Sequence, residues 1–172
     1  MDKQSLAKAI QEIAHLTGEF KLRSGQTSHE YFDKYRFESQ PQLLQEIAKQ
    51  LKPLVPDDTE VLAGLEMGGI PIAVALSFET NLPVVFVRKE AKDYGTCKFA
   101  EGLEVKGKKL CVVEDVITTG GQVVTSSQDL RKSGAEIDHV ICVIHRGSDI
   151  SKLDDEKLKL TSLFTRSDFR DE

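Results

Sequence analysis

Residues 111 to 122, CVVEDVITTGGQ, carry the densest chemistry in the chain: an apolar run, two carboxylates, two hydroxyls and two glycines. Thr118 and Thr119 are hydroxyl donors. Gly120 and Gly121 permit close backbone approach, and a helix N-terminus behind them favours an anion. Glu114 and Asp115 would repel a phosphate but accept hydrogen bonds from vicinal sugar hydroxyls. A ribose 5-phosphate has both features at about this separation. The contact stretch then runs through Glu114, Asp115, Val116, Ile117, Thr118, Thr119, Gly120, Gly121 and Gln122. Two other nucleotide readings fail, because neither GxxxxGK[ST] nor GxGxxG occurs. The bland alternative makes the acids solvated strand-end groups and TTGG a plain turn.

The elements around this stretch must present it at an edge. Leu6, Ile10, Ile13 and Ala14 recur at helical spacing, with Gly18 placed for a C-cap. Pro41 opens a second helix with Leu43, Leu44, Ile47 and Leu51 on one face. Between them, residues 18 to 37 read as a short strand or hairpin. From Val61 onward apolar strands alternate with helices: VLAG, a helix near Pro71, LPVVFVRK, KLCVVED, a helix ending at Gly134, and DHVICVIHR. Residues 158 to 169 add a short strand and a helical end. That alternation implies an α/β fold with a central parallel sheet flanked by helices. Ligands of such sheets bind beyond the carboxyl ends of the strands. Those ends are GLEMGG, VRKEAKDYG, VEDVITTGG and VIHRGSD, and they are expected to converge.

Bulk composition narrows the class. The chain has 172 residues, enough for one domain over 1–172, and a formal charge of −5 that disfavours sequence-independent nucleic-acid binding. It lacks an apolar run of membrane-spanning length and a secretory pattern at its start. Cys97, Cys111 and Cys142 are an odd number without CxxC spacing, which argues against a disulfide framework or a zinc site. A cytoplasmic location with no membrane partner is the default expectation. His15, His29 and His139 show no ligand spacing and read as surface or packing residues.

The 111–122 stretch resembles the ribose-phosphate motif of the type I phosphoribosyltransferases, and three further stretches resemble the members of that family that act on orotate. The resemblance runs from about Phe20 to Arg146; the part after Arg146 is short and matches poorly. It implies the type I phosphoribosyltransferase fold, a small N-terminal hood (1–40) over the base site and a mobile basic lid at 88–102. It also implies phosphoribosyl pyrophosphate (PRPP) and orotate as substrates, Mg²⁺ held mainly by substrate, and a homodimer whose lids reach across the interface.

Carried over by motif, Arg88, Lys89, Lys92 and Tyr94 of RKEAKDYGTCKFAEG contact PRPP. Gly68 and Gly69 of GLEMGGIP contact its pyrophosphate. Arg23, Tyr31 and Phe32 of FKLRSGQTSHEYFDKYRF, with Thr118 and Arg146, meet orotate. Lys92 and Asp115 are the implied catalytic residues. The family usually has aspartate where His145 stands and often lysine where Arg23 and Gly68 stand. The implied reaction moves ribose 5-phosphate from PRPP to N1 of orotate, giving orotidine 5′-monophosphate and pyrophosphate in pyrimidine biosynthesis. Transfer to another base, a PRPP-sensing regulator of the same fold, or a degenerate partner subunit are the alternatives.

Overall fold

A computed structural model describes residues 1–22, 24–91 and 99–169. Helix α1 (Lys3–Ala14) starts where the Asp2 carboxylate accepts from Ser5 N–H at 2.7 Å. It ends four residues before Gly18, which lies inside strand β1 (His15–Lys21) rather than at a C-cap. β1 pairs antiparallel with β2 (Thr27–Phe32) as a two-stranded sheet, in agreement with the hairpin reading. That reading overlooked helix α2 (Lys34–Glu38), which Asp33 caps by accepting from Tyr35 N–H at 3.2 Å. Helix α3 (Pro41–Leu51) follows with Pro at its first position and Ile47, Ala48 and Leu51 buried.

The second sheet has six strands: β3 (Val61–Leu65), β4 (Val84–Val87), β5 (Ala100–Glu101), β6 (Lys109–Ile117), β7 (Glu136–His145) and β8 (Lys159–Thr165). Their order is β5-β4-β3-β6-β7-β8, parallel throughout except for β5 against β4. Helices α4 (Gly69–Thr80), α5 (Gly121–Lys132) and α6 (Ser151–Asp155) make the crossovers after β3, β6 and β7. This is the α/β architecture expected from the alternation, a mostly parallel sheet with helices on both faces.

Strand pleat divides the core in two. Cys111 and Val113 of β6 join Leu6, Ile10, Phe37, Ile47, Ile72 and Leu76 on one face. Leu110 and Val112 join Val123, Leu130, Val140 and Leu153 on the other. By the same parity Asp115 belongs to the face that carries α2. β6 also runs two residues further than its apolar stretch suggested: Glu114 pairs in register with Cys142, Val116 with Ile144 and Ile117 with His145. The two acids, the last residues of the expected strand KLCVVED, therefore lie within the central strand, which continues through Val116 and Ile117.

The C-terminal strand closes the first core with aromatics. Phe164 is fully buried, its ring centroid 5.6 Å from Phe169, which in turn meets Phe32 edge-on at 6.1 Å. Phe164→Ala should lower stability by about 3–5 kcal/mol, measured by urea denaturation; a loss under 1 kcal/mol would mean this end does not belong to the cooperative core.

Candidate active site

The four strand ends that carry chemistry belong to neighbouring parallel strands, β4, β3, β6 and β7, and so meet on one edge. Glu66 at the end of β3 accepts from Lys89 N–H just past β4 at 2.9 Å. Arg146 N–H, just past β7, donates to Ile117 C=O at the end of β6 at 2.9 Å.

The acids are buried, not solvated. Asp115 is 0% exposed and Glu114 9%. Glu114 Oε1 accepts from Asp115 N–H at 3.0 Å, and Asp115 Oδ1 from Val116 N–H at 2.5 Å. Asp115 Oδ2 lies 2.7 Å from the Lys34 ammonium, an ion pair whose carboxylate is buried. Glu38, also buried, presents Oε1 toward the same place: a methyl built on Gly68 would stand 2.9 Å from Glu38 Oε1 and 2.5 Å from Asp115 Cγ. Burial, contact with Asp115 and the surrounding negative charge push the Glu38 carboxyl up to about 10. Burial and the Asp115 charge likewise raise Glu114 well above the usual range. Burial would also raise Asp115, but its contacts with Glu38, Glu114 and Lys34 outweigh this and hold it low. Burial would lower the Lys34 ammonium, and pairing with Asp115 instead carries it up.

After Ile117 the chain exposes Thr118 and Thr119, then turns through Gly120 at φ +71° into α5. Glycine is required at 120, where a Cβ would also press on Leu153 at 3.0 Å. No side chain caps α5, which leaves its first N–H groups for an anion. At Gly121 a Cβ would meet nothing nearer than Thr119 Oγ1 at 4.0 Å, so the missing side chain leaves the mouth of the turn open. Val116 and Ile117 contribute backbone, with Ile117 buried beneath the loop, and Gln122 points along the helix to bond Ser126 at 3.2 Å. Gly147 lets the chain after Arg146 pass against Thr118 C=O, a close approach that no sequence motif flagged.

Gly68 and Gly69 are small because β6 crowds them. A side chain at 68 would enter Asp115 and Glu38, and one at 69 would enter Val113 C=O. At the lid, Lys92 and Tyr94 lie outside the described residues, as does Arg23 of the hood. Strand β5, at the end of the 88–102 segment, is an element the sequence reading lacked, and Arg88 pairs with Glu101 on it at 3.4 Å.

Across β7, the Arg146 guanidinium sits 5.0 Å from the Phe32 ring centroid. Phe32 packs inward against Phe37, while Tyr31 is 44% exposed and stacks on Phe20 at 5.5 Å. Tyr31, Phe32 and Arg146 line one cleft of about 250 Å³, joined by Arg166 and His15. A larger cleft of about 560 Å³ runs along α1 and contains none of the strand-end residues.

Sequence reasoning missed Lys34, Glu38 and Arg166. The signal for the first two was present: DKYRFE places a capping Asp before a Lys and a Glu four apart, one helical face. Arg166 follows β8 and carried no such mark.

Comparison with known proteins agrees with this geometry. The phosphoribosyl transferase domain family matches residues 36–168, so the segment after Arg146, expected to match poorly, falls inside the family. The chain is 53% identical to the orotate phosphoribosyltransferase of Nocardioides sp. over 83% of this chain and 79% of that one. Two crystal structures of orotate phosphoribosyltransferase from Mycobacterium tuberculosis H37Rv also resemble it, each matching 98% of both chains. The complex with Fe(III) dicitrate superposes with a TM-score of 0.87 at 29% identity. The complex with PRPP does so at 0.82 and 27%.

Two measurements test this geometry. Gly68→Ala should cost about 1–3 kcal/mol of stability by overpacking, whereas Gly121→Ala should leave the denaturation midpoint unchanged and weaken ribose 5-phosphate binding in calorimetry. Separately, stability contributed by Glu38 is complete below its ordinary value of 4.5 and is lost as pH rises toward about 10. Urea midpoints should therefore decline from neutral into alkaline solution, and less steeply in Glu38→Gln; parallel declines would remove Glu38 as the source.

Proposed function

This chain belongs to the phosphoribosyl transferase family, among its orotate phosphoribosyltransferases, and from that premise we propose how its residues divide the work. The enzyme transfers ribose 5-phosphate from PRPP to N1 of orotate, yielding orotidine 5′-monophosphate and pyrophosphate for pyrimidine biosynthesis. One observation supports the assignment of roles above the others. The buried acids, the uncapped glycine turn and the cleft of Arg146 and Phe32 adjoin on consecutive strands β6 and β7. That order matches a ligand with a hydroxyl-bearing ring between a phosphate and a planar anion.

In this reading the 5-phosphate takes the N–H groups at the start of α5 and the hydroxyls of Thr118 and Thr119. Glu114 and Asp115 face the ribose hydroxyls from below. Arg146 pairs with the orotate carboxylate through its planar fork, with Tyr31, Phe32 and Arg23 beside the ring. Gly68 and Gly69 bring backbone to the pyrophosphate. Arg88, Lys89, Lys92 and Tyr94 close over it, with Lys92 stabilising the leaving group. Breaking the anomeric C–O bond builds positive charge on the ribose and negative charge on pyrophosphate, so the protein works by positioning and electrostatics.

Mg²⁺ fits this site as a substrate-borne ion. The strand-end carboxylates are already tied into the protein, Asp115 through both oxygens and Glu114 through one. Diphosphate oxygens and waters would hold the metal, with Glu114 the side chain available to one of those waters. When bound, it neutralises the diphosphate.

A homodimer is part of the proposal. α4 is apolar on all sides, yet Phe78 is 85% exposed. A groove of about 520 Å³ between α3 and α4, lined by Leu44, Ile70, Val74 and Phe78, runs through Ile70 into a second cleft with Met67, Phe86 and Arg88. The apolar face thus ends at the root of the lid, which suits a second copy whose lid serves this site. A single domain over 1–172, with 1–40 as hood and 88–102 as lid, and a cytosolic setting consistent with the unpaired buried thiols Cys111 and Cys142, complete the reading.

Pyrophosphate release with PRPP, Mg²⁺ and a panel of bases should occur with orotate alone. Arg146→Ala should raise the orotate KM about 10- to 100-fold; unchanged orotate kinetics would take Arg146 out of the base site. Lys92→Ala should reduce kcat far more than PRPP affinity. Mixing the two impaired variants should raise activity at low orotate above that of either alone, since one site of each mixed dimer regains both groups; no gain would mean the lid serves its own subunit.

A further inference from the structure

Three carboxyls, Glu38, Glu114 and Asp115, share one buried spot with a single ammonium, Lys34. Fully ionised, they would leave two negative charges in excess in a site that must admit a polyanion. The packing shows how this is avoided. Lys34 and Glu38 are four residues apart on α2 and so point the same way, toward the C-terminal end of β6. Glu38 Oε1 is buried without a hydrogen-bond donor, Asp115 Oδ2 is buried with the Lys34 ammonium as its one neighbour of that kind, and both oxygens crowd the same point beside Gly68. Were Glu38 a carboxylate, two desolvated acceptors would face each other, an arrangement that buried polar groups avoid. One proton on Glu38 satisfies both oxygens at once.

We infer that Glu38 is a positioning residue for the sugar-binding acids: its carboxyl stays protonated, donates to Asp115, and leaves the single ammonium of Lys34 to pair with the Asp115 carboxylate. Asp115 Oδ1 in turn holds Val116 N–H at 2.5 Å, the first residue of the run into the phosphate turn. Glu38 thereby acts on PRPP through Asp115 without touching it. The charged and titratable groups facing it are Lys34 on its own helix and Glu114 and Asp115 on β6; Gly68, from the β3–α4 connection, brings none. The raised carboxyl of Glu38 accords with this arrangement. The inference rests on the ribose being bound at Glu114 and Asp115.

The test reads protonation directly. In protein labelled with ¹³C at glutamate carboxyls, the signal lost in Glu38→Gln should report a neutral acid at neutral pH. A Glu38 signal that titrates in the ordinary glutamate range overturns the proposal. This readout requires no turnover, so it fails or succeeds independently of the assigned reaction. Kinetics supply the second arm. Glu38→Leu should raise the PRPP KM about tenfold or more, with a smaller effect on the orotate KM. Glu38→Gln, whose amide also donates to Asp115, should recover most of that loss and no longer lose PRPP affinity in alkaline solution. Equal defects in the Leu and Gln variants, or a Leu variant with the parental PRPP KM, would reduce Glu38 to a packing role. If the Leu variant does not fold, the titration decides alone.

Discussion

The organisation of this site follows from one electrostatic constraint: Asp115 sits with no exposure at the end of the central strand. An ionised carboxylate there needs local compensation, because burial removes the water that would otherwise solvate it. Lys34 provides the countercharge at 2.7 Å, and α2 exists at that place to deliver it. The same crowding dictates glycine at 68 and 69, where any side chain would enter the acids or the carbonyl behind them. Compensation thus ties the N-terminal segment to the centre of the sheet before any ligand arrives.

The constraint also joins stability to activity. The residues that hold Asp115 also position the strand-end acids, and the loop they anchor leads straight into the uncapped N-terminus of α5. By contrast, Arg146 and Phe32 rest on the aromatic chain Phe37, Phe32, Phe169 and Phe164, which draws the hood and the C-terminal strand into one core. The cleft of Arg146 and Phe32 is therefore supported by apolar packing and the acid cluster by ion pairing. The two regions fail differently when disturbed.

An apolar surface that ends beside the lid adds a further level. Phe78, Met67 and Phe86 keep more exposure than an isolated surface would favour, and they lie on the path from α4 to Arg88. Association through this face would couple the burial of apolar area to the completion of the active site.

The sequence by itself determined the order of strands and helices, the parallel sheet and the edge at which chemistry gathers, because each depends on local periodicity and on residues adjacent in the chain. It identified Glu114 through Gly121 as one unit for the same reason. The tertiary structure alone decided that β6 continues past the acids to Ile117 and buries them, that DKYRFE forms a helix inside a hairpin segment, and that Gly18 belongs to a strand. It also decided that Lys34 and Glu38 meet Asp115 across 81 and 77 residues of chain. Burial, ion pairing and proton sharing arise between residues remote in sequence, and no local pattern encodes the desolvation that drives them.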